Sequence, residues 1–265
     1  SAIQHLYDMA RSSDDRPFFM QVSYTHPHEP YLCRKEFWDL YEDVEIPLPD
    51  VPALPVTEHD PHSVRLLSDF GMLNVRFSNE DIRSARRAYY GSISYLDEMI
   101  GNLLDTLEAT GQMERTAIIF TSDHGEMLGE RGMWFKKHFY EPSLRVPLIM
   151  KIPGVAAKRV TTPASLVDLL PTFMGIAMGT GWTSEVEQLD GNDLTKFLDN
   201  EQPDRPVFAE YLAEATTAPI FMIRRGHYKF ISSADDPPLL FDLEDDPQER
   251  NNPVSYTHLT LPTKA

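Results

Sequence analysis

Two neighbouring residues with ligand chemistry, Asp123 and His124, follow a short apolar run at residues 116–121 and precede Gly125 and Gly129. A carboxylate beside an imidazole offers two donors to a metal ion, and the glycines let the backbone turn or approach a bound group closely. Asp123-His124 therefore reads as half of a metal site. A second candidate is Thr25-His26-Pro27-His28-Glu29-Pro30, where two prolines hold the backbone extended and set His26 and His28 on one side. Histidines there can donate to an anion, bind metal or transfer a proton near neutral pH. Lys136 and Lys137 follow Trp134 and Phe135. A lysine in that place either lays its stem over aromatic surface or sets a point charge against a sulfate or phosphate oxygen. Glu126, Glu130 and Glu141 are donors by type, with surface or supporting roles the heavier reading. Cys33, the single cysteine, has Arg34 and Lys35 beside it but leads into Phe37 and Trp38, and reads as a loop thiol rather than a nucleophile. His59 and His62 stand in a proline-rich stretch without supporting ligands and read as solvated.

The elements that must position these residues follow from periodicity. Residues 116–121 are apolar or β-branched almost throughout, the pattern of a strand covered on both faces in a largely parallel sheet. Residues 17–23, with Phe18, Phe19, Met20 and Val22, read the same way. Between them, Ser78 stands three before Asp81 as a capping box, and apolar residues recur at helical spacing from Ala85 to Leu107, predicting a helix of about thirty residues closed by Gly111. Strand, helix and strand make a right-handed crossover, which brings the histidine loop and the Asp123-His124 loop to one sheet edge, where ligands bind in such folds. Residues 42–77 are rich in proline and acids and read as an extended excursion. A further short strand is expected at 145–150. From about residue 181 the chain reads as a smaller unit. A helix at 193–198 precedes short strands at 205–211, 220–224, 227–231 and 239–242, with Arg225-Gly226 at a hairpin turn and Tyr211 and Tyr228 as packing residues.

At 265 residues, 42% of them hydrophobic, the chain can bury a sizeable core in one large domain or two unequal ones. Its net charge of −17 argues against a nucleic-acid partner, whose footprint is basic. A lone cysteine excludes an internal disulfide framework and fits a reducing, cytoplasmic compartment. No run reaches the roughly 18 apolar residues of a membrane span. Both ends read as cut: the first helix follows no leader, and residues 254–265 differ in composition and read as a non-native tail, set aside from fold reasoning.

The run from Ser122 to Lys136, with residues 141–149 behind it, resembles the second metal-binding motif of type I sulfatases in the alkaline phosphatase-like superfamily. Thr25–Pro30, Ser165–Thr172 and Leu240–Pro247 carry further matches, and residues 210–214 and 222–230 are most similar to choline sulfatases. The resemblance implies an α/β fold with a mixed, largely parallel sheet flanked by helices and a smaller C-terminal antiparallel-sheet subdomain. The corresponding division is 1–180, 181–253 and the tail 254–265. It implies a sulfuric ester hydrolase that splits choline sulfate into choline and sulfate around one calcium ion, in a homo-oligomer. Asp123 and His124 match the metal ligands, although calcium's preference for oxygen leaves His124 a second role at the sulfate. Lys136 matches the sulfate-contacting lysine, His28 the histidine near the leaving oxygen, and Glu214, with Glu210 as alternative, an acid for the choline cation. The family's nucleophile, a formylglycine made from cysteine in Cys-x-Pro-Ser-Arg, has no counterpart here, because Cys33 is followed by Arg34-Lys35-Glu36. The expectation is a fragment without its N-terminal third, inactive and poorly soluble alone. A phosphonate or phosphate monoester hydrolase of the same superfamily and a non-catalytic binding module are the alternatives.

Overall fold

Ser78 starts the longest helix as its sequence predicts. Its side chain accepts from the Asp81 backbone N–H while the Asp81 carboxylate accepts from the Ser78 N–H. In the computed structural model, which describes residues 1–179, 182 and 189–254, the elements in chain order are α1 (Ala2–Arg11), α2 (Lys35–Asp39), α3 (Pro61–Asp69), α4 (Asn79–Ala109), β1 (Ile118–Thr121), α5 (Glu141–Leu144), β2 (Leu148–Lys151), α6 (Leu169–Met178), β3 (Val207–Tyr211), β4 (Ile220–Arg225), β5 (Tyr228–Ser233) and β6 (Leu239–Asp242). Short 3-10 turns stand between several of them. The chain forms two units: residues 1–49, 76–119 and 150–155, and residues 50–75, 120–149 and 156–265. β1 and β2 pair into a two-stranded sheet.

In the first unit, α1 and α2 pack on α4. Gly111, at φ 67°, ends α4 with its N–H turned back to the Glu108 carbonyl, the left-handed stop that glycine supplies without a Cβ penalty. The buried face of α4 is more polar than its periodicity suggests: Arg86, Ala88, Gly91, Ser92, Thr106 and Leu107 are covered, while Ile93 is exposed. The reason is the partner. Residues 32–47, irregular apart from the short α2, lie along the helix and their carbonyls need donors. Ser92 Oγ donates to Leu32, Arg87 to Trp38 and Arg86 to Pro47. At Gly91 an added Cβ would stand 2.7 Å from Cys33 Sγ, so only glycine admits this approach. Burial raises the Cys33 thiol pKa against a smaller opposing effect of Arg87, the behaviour of a packed loop thiol.

The strand expected at residues 17–23 does not form. Phe18, Phe19 and Val22 are exposed, Phe19 at 74%, and no strand among the described residues pairs with them. Apolar content predicts that faces need covering; a strand also needs a ladder partner. The strand–helix–strand crossover is consequently not formed among the described residues. β1 is likewise half-buried rather than covered on both faces.

The second unit is built on the antiparallel meander β3-β4-β5-β6. Arg225 pairs with Tyr228, so Gly226 (φ 58°) and His227 make the two-residue turn, one position later than read from sequence. Ile220, Met222, Ile231 and Phe241 from this sheet pack with Leu66, Leu67, Met127, Met133, Phe139 and Tyr140 into the core. Leu66 and Leu67 belong to α3, a helix within the stretch expected to be extended. Its start is legible in retrospect: Asp60 caps the Ser63 N–H and Pro61 takes the first helical position, where its missing donor costs nothing.

Candidate active site

Beyond β1, the loop carrying Asp123 and His124 docks onto the backbone of α5. Gly125 N–H donates to Ser143 O at 2.7 Å and Glu126 N–H to Pro142 O at 2.8 Å. An added Cβ on Gly125 would fall 2.0 Å from Pro142 O. The glycine therefore admits the protein's own backbone, a different use from the approach to a bound group read from sequence.

His124 Nδ1 lies 2.7 Å from the Gly125 carbonyl, to which it donates, and Nε2 lies 3.7 Å from Asp123 Oδ2. Asp123 is 86% exposed and accepts from the His124 N–H at 3.1 Å. The imidazole and the solvent-facing carboxylate stand side by side, two side chains of metal-ligating type. No group of three or more such residues converges among the described residues, fewer than the six to eight ligands that calcium takes.

After this loop the chain turns back on itself. Met127 N–H donates to Phe135 O, Gly129 N–H to Met133 O, and the Glu126 carboxylate accepts from Phe135 N–H at 2.5 Å. Glu130 accepts from the Asp50 and Val51 N–H groups. These two acids are thus loop fasteners. Glu141 pairs instead with Lys229, which is fully buried and also reaches Phe139 O at 2.7 Å and Glu249 Oε1 at 2.5 Å.

The tightened loop delivers Lys136 and Lys137 into a cavity of about 850 Å³ whose lining lies wholly in the second unit. Asp123, His124, Lys136, Glu210 and Glu214 all line it. The structure thereby brings together five of the six candidates. The sixth, His28, belongs to the first unit, where its Nδ1 lies 3.0 Å from Glu29 O and 3.1 Å from Glu29 Oε2. His26 packs edge-on against Tyr95 at 4.9 Å.

Sequence reasoning named Lys137 without its partners, read Tyr211 as packing and His62 as solvated, and missed Asp60 and His138 in the lining. Lys137 Nζ is 3.1 Å from Glu214 Oε1, and Tyr211 Oη donates to Glu214 Oε2 at 3.1 Å. Burial, then the Glu214 carboxylate, pushes the Tyr211 phenol well above its ordinary range. His62 is buried, not solvated: its ring nitrogens face Lys137 O at 2.9 Å and Ala215 O at 3.4 Å. Burial, reinforced by His138, lowers its pKa. Beside it His138 stacks on Tyr140 at 4.1 Å and meets Ser63 Oγ at 2.8 Å. Asp60 accepts from Ser63 and from Tyr140 Oη. Burial opposes the Asp60 charge, but His138 and Ser63 outweigh it and hold the carboxyl far below the usual carboxylate range. The available signal was the Asp60-Pro61 helix start, which places His62 on a packed helix.

The Sulfatase family model matches residues 2–180. The chain belongs to the sulfatase family. A second model, described as N-sulphoglucosamine sulphohydrolase, C-terminal, matches residues 129–261. A choline-sulfatase of Rhizobium meliloti is 46% identical over 254 residues, covering 95% of this chain and 49% of that protein. A multifunctional alkaline phosphatase superfamily protein of Trinickia caryophylli is 29% identical over 91% of the chain and 52% of its own length. Among solved structures, the phosphonate monoester hydrolase of Agrobacterium radiobacter aligns at TM-score 0.77 and 26% identity, over 94% of this chain and 54% of that one. The chain spans about half the length of these curated relatives. The fold is alkaline phosphatase-like, with helices and a small antiparallel-sheet subdomain. Among the described residues no helix is long and apolar enough to cross a membrane.

Proposed function

We propose that the protein hydrolyses sulfate esters and that choline sulfate is its substrate. The observation that carries this reading is that one cavity is lined by a two-donor metal pair, two lysines and two acids. Sulfate needs cations around it, and the choline ammonium needs a carboxylate with aromatic surface. The 46% identity to a choline-sulfatase favours that ester over others in the family.

Asp123 and His124 would contribute to holding calcium, which when bound polarises the sulfate and lowers the pKa of the attacking group. Lys136 neutralises charge on the sulfate oxygens as the sulfur–oxygen bond to the leaving alcohol breaks. Glu214, with Tyr211 beside it, receives the choline cation, and Glu210 on β3 is the alternative acid. His28 keeps the role that the resemblance implies, a proton for the leaving oxygen. The nucleophile is assigned to the half of the relatives' length that this chain does not span. The test is a panel of choline sulfate, aryl sulfates and phosphonate esters offered to the product of the complete reading frame. Choline release supports the reading, and turnover of phosphorus esters alone replaces it with the phosphonate hydrolase alternative.

A further inference from the structure

Two consecutive residues, Lys136 and Lys137, line one cavity. Neighbours along an extended chain face opposite ways. Here left-handed backbone at Phe135 (φ 70°) and Lys137 (φ 81°) brackets Lys136 and breaks that alternation. Such conformations are strained for residues with a Cβ and persist only where the surroundings hold them. The Glu126 carboxylate holds Phe135 by its N–H at 2.5 Å, and the His62 ring at 2.9 Å holds the Lys137 carbonyl.

Held in this way, the Lys137 ammonium stands 3.1 Å from Glu214 Oε1 and 4.8 Å from the centroid of the Phe70 ring, with only 19% of its side chain exposed. The second Glu214 oxygen takes the Tyr211 hydroxyl. A carboxylate with aromatic surface beside it is what an organic cation requires. The protein's own ammonium already occupies that environment.

We infer that Lys137 is a tethered competitor for the cation subsite at Glu214, displaced when a quaternary ammonium headgroup enters, and that it thereby sets the enzyme's selectivity for the charge of the leaving group. The inference rests on the role given to Glu214 above. Lys137→Met leaves Glu214, Phe70 and Tyr211 to the ligand alone, whereas a lysine that merely oriented Glu214 would take affinity away with it when removed.

The experiment titrates choline and tetramethylammonium into the product of the complete reading frame and into its Lys137→Met and Lys137→Arg variants by calorimetry at low salt, with a melting curve for each. The methionine variant binds both cations about fivefold or more tightly, the scale of one exposed ion pair, and the arginine variant keeps the original affinity. In Lys137→Met with Glu214→Gln the gain disappears. Equal or weaker binding by the methionine variant, or no binding by either protein, overturns the competitor. Lys137→Gln serves in its place should the methionine variant melt out. Turnover of choline sulfate by the complete protein is read separately: turnover with an unchanged KM in Lys137→Met leaves the function standing and the competitor overturned, and tighter choline binding without turnover does the reverse.

Discussion

Asp60 and His62 are two residues apart at the start of α3 and both have folded-state pKa values below their ordinary ones, for opposite reasons. Burial, with His138 adding to it, disfavours the His62 imidazolium, while the Asp60 carboxylate keeps its charge because His138 and Ser63 overcome burial. In each case the folded state binds fewer protons than the unfolded chain, so acid favours unfolding. The His62 contribution is full above about pH 6.5 and declines as pH falls below it; the Asp60 contribution is full above about pH 4 and is lost only in stronger acid. Thermal melts across pH should show two steps of falling Tm. Asp60→Asn should remove the lower step and leave the upper one, and persistence of both steps in that variant contradicts the assignment. Asp60 and His138 carried no motif: their roles come from partners 75 to 80 positions distant, such as Ser63 to His138 and Asp60 to Tyr140, which no local spacing encodes.

At the scale of elements, α5 ties the Asp123–His124 loop to the sheet. Its Pro142 and Ser143 carbonyls receive the Gly125–Glu126 backbone, and Glu141 is anchored by the buried Lys229 of β5. Lys229→Met leaves Glu141 and Glu249 without their shared cation and should cost about 3–5 kcal/mol of stability in denaturant titration. A loss under about 1 kcal/mol would show that the pair is solvated rather than buried. Gly125→Ala places a methyl against the Pro142 carbonyl and should both destabilise the chain and weaken calcium binding. Calorimetric calcium titration checks the second effect, and unaltered binding contradicts the docking role. The long α4, its capping box and the four strands of the meander were legible because local periodicity and turn chemistry encode them. The α3 helix was hidden by prolines at 52, 55 and 61 that read as extended chain, although Pro61 is where a helix tolerates proline.

For the whole molecule, apolar exposure is the salient property. Phe19, Leu32, Ile149 and Phe208 are each exposed by 65% or more. The isolated chain should therefore associate as concentration rises, and a monodisperse species across that range in light scattering contradicts this. Composition could indicate neither this exposure nor that residues 17–23 form no strand, because a strand pattern does not name the strand beside it. The Asp123–Lys136 motif was legible because it is contiguous and chemically dense. That Lys137, Tyr211 and His62 share its cavity was not, since three separated segments converge there. The most direct measurement is calcium-dependent choline release from choline sulfate by the product of the complete reading frame, with and without Lys136→Ala. The account predicts release that is abolished by chelator and falls at least about a hundredfold in the variant, the scale of losing one positioned transition-state charge. Undiminished release in Lys136→Ala, or release indifferent to chelator, would contradict it.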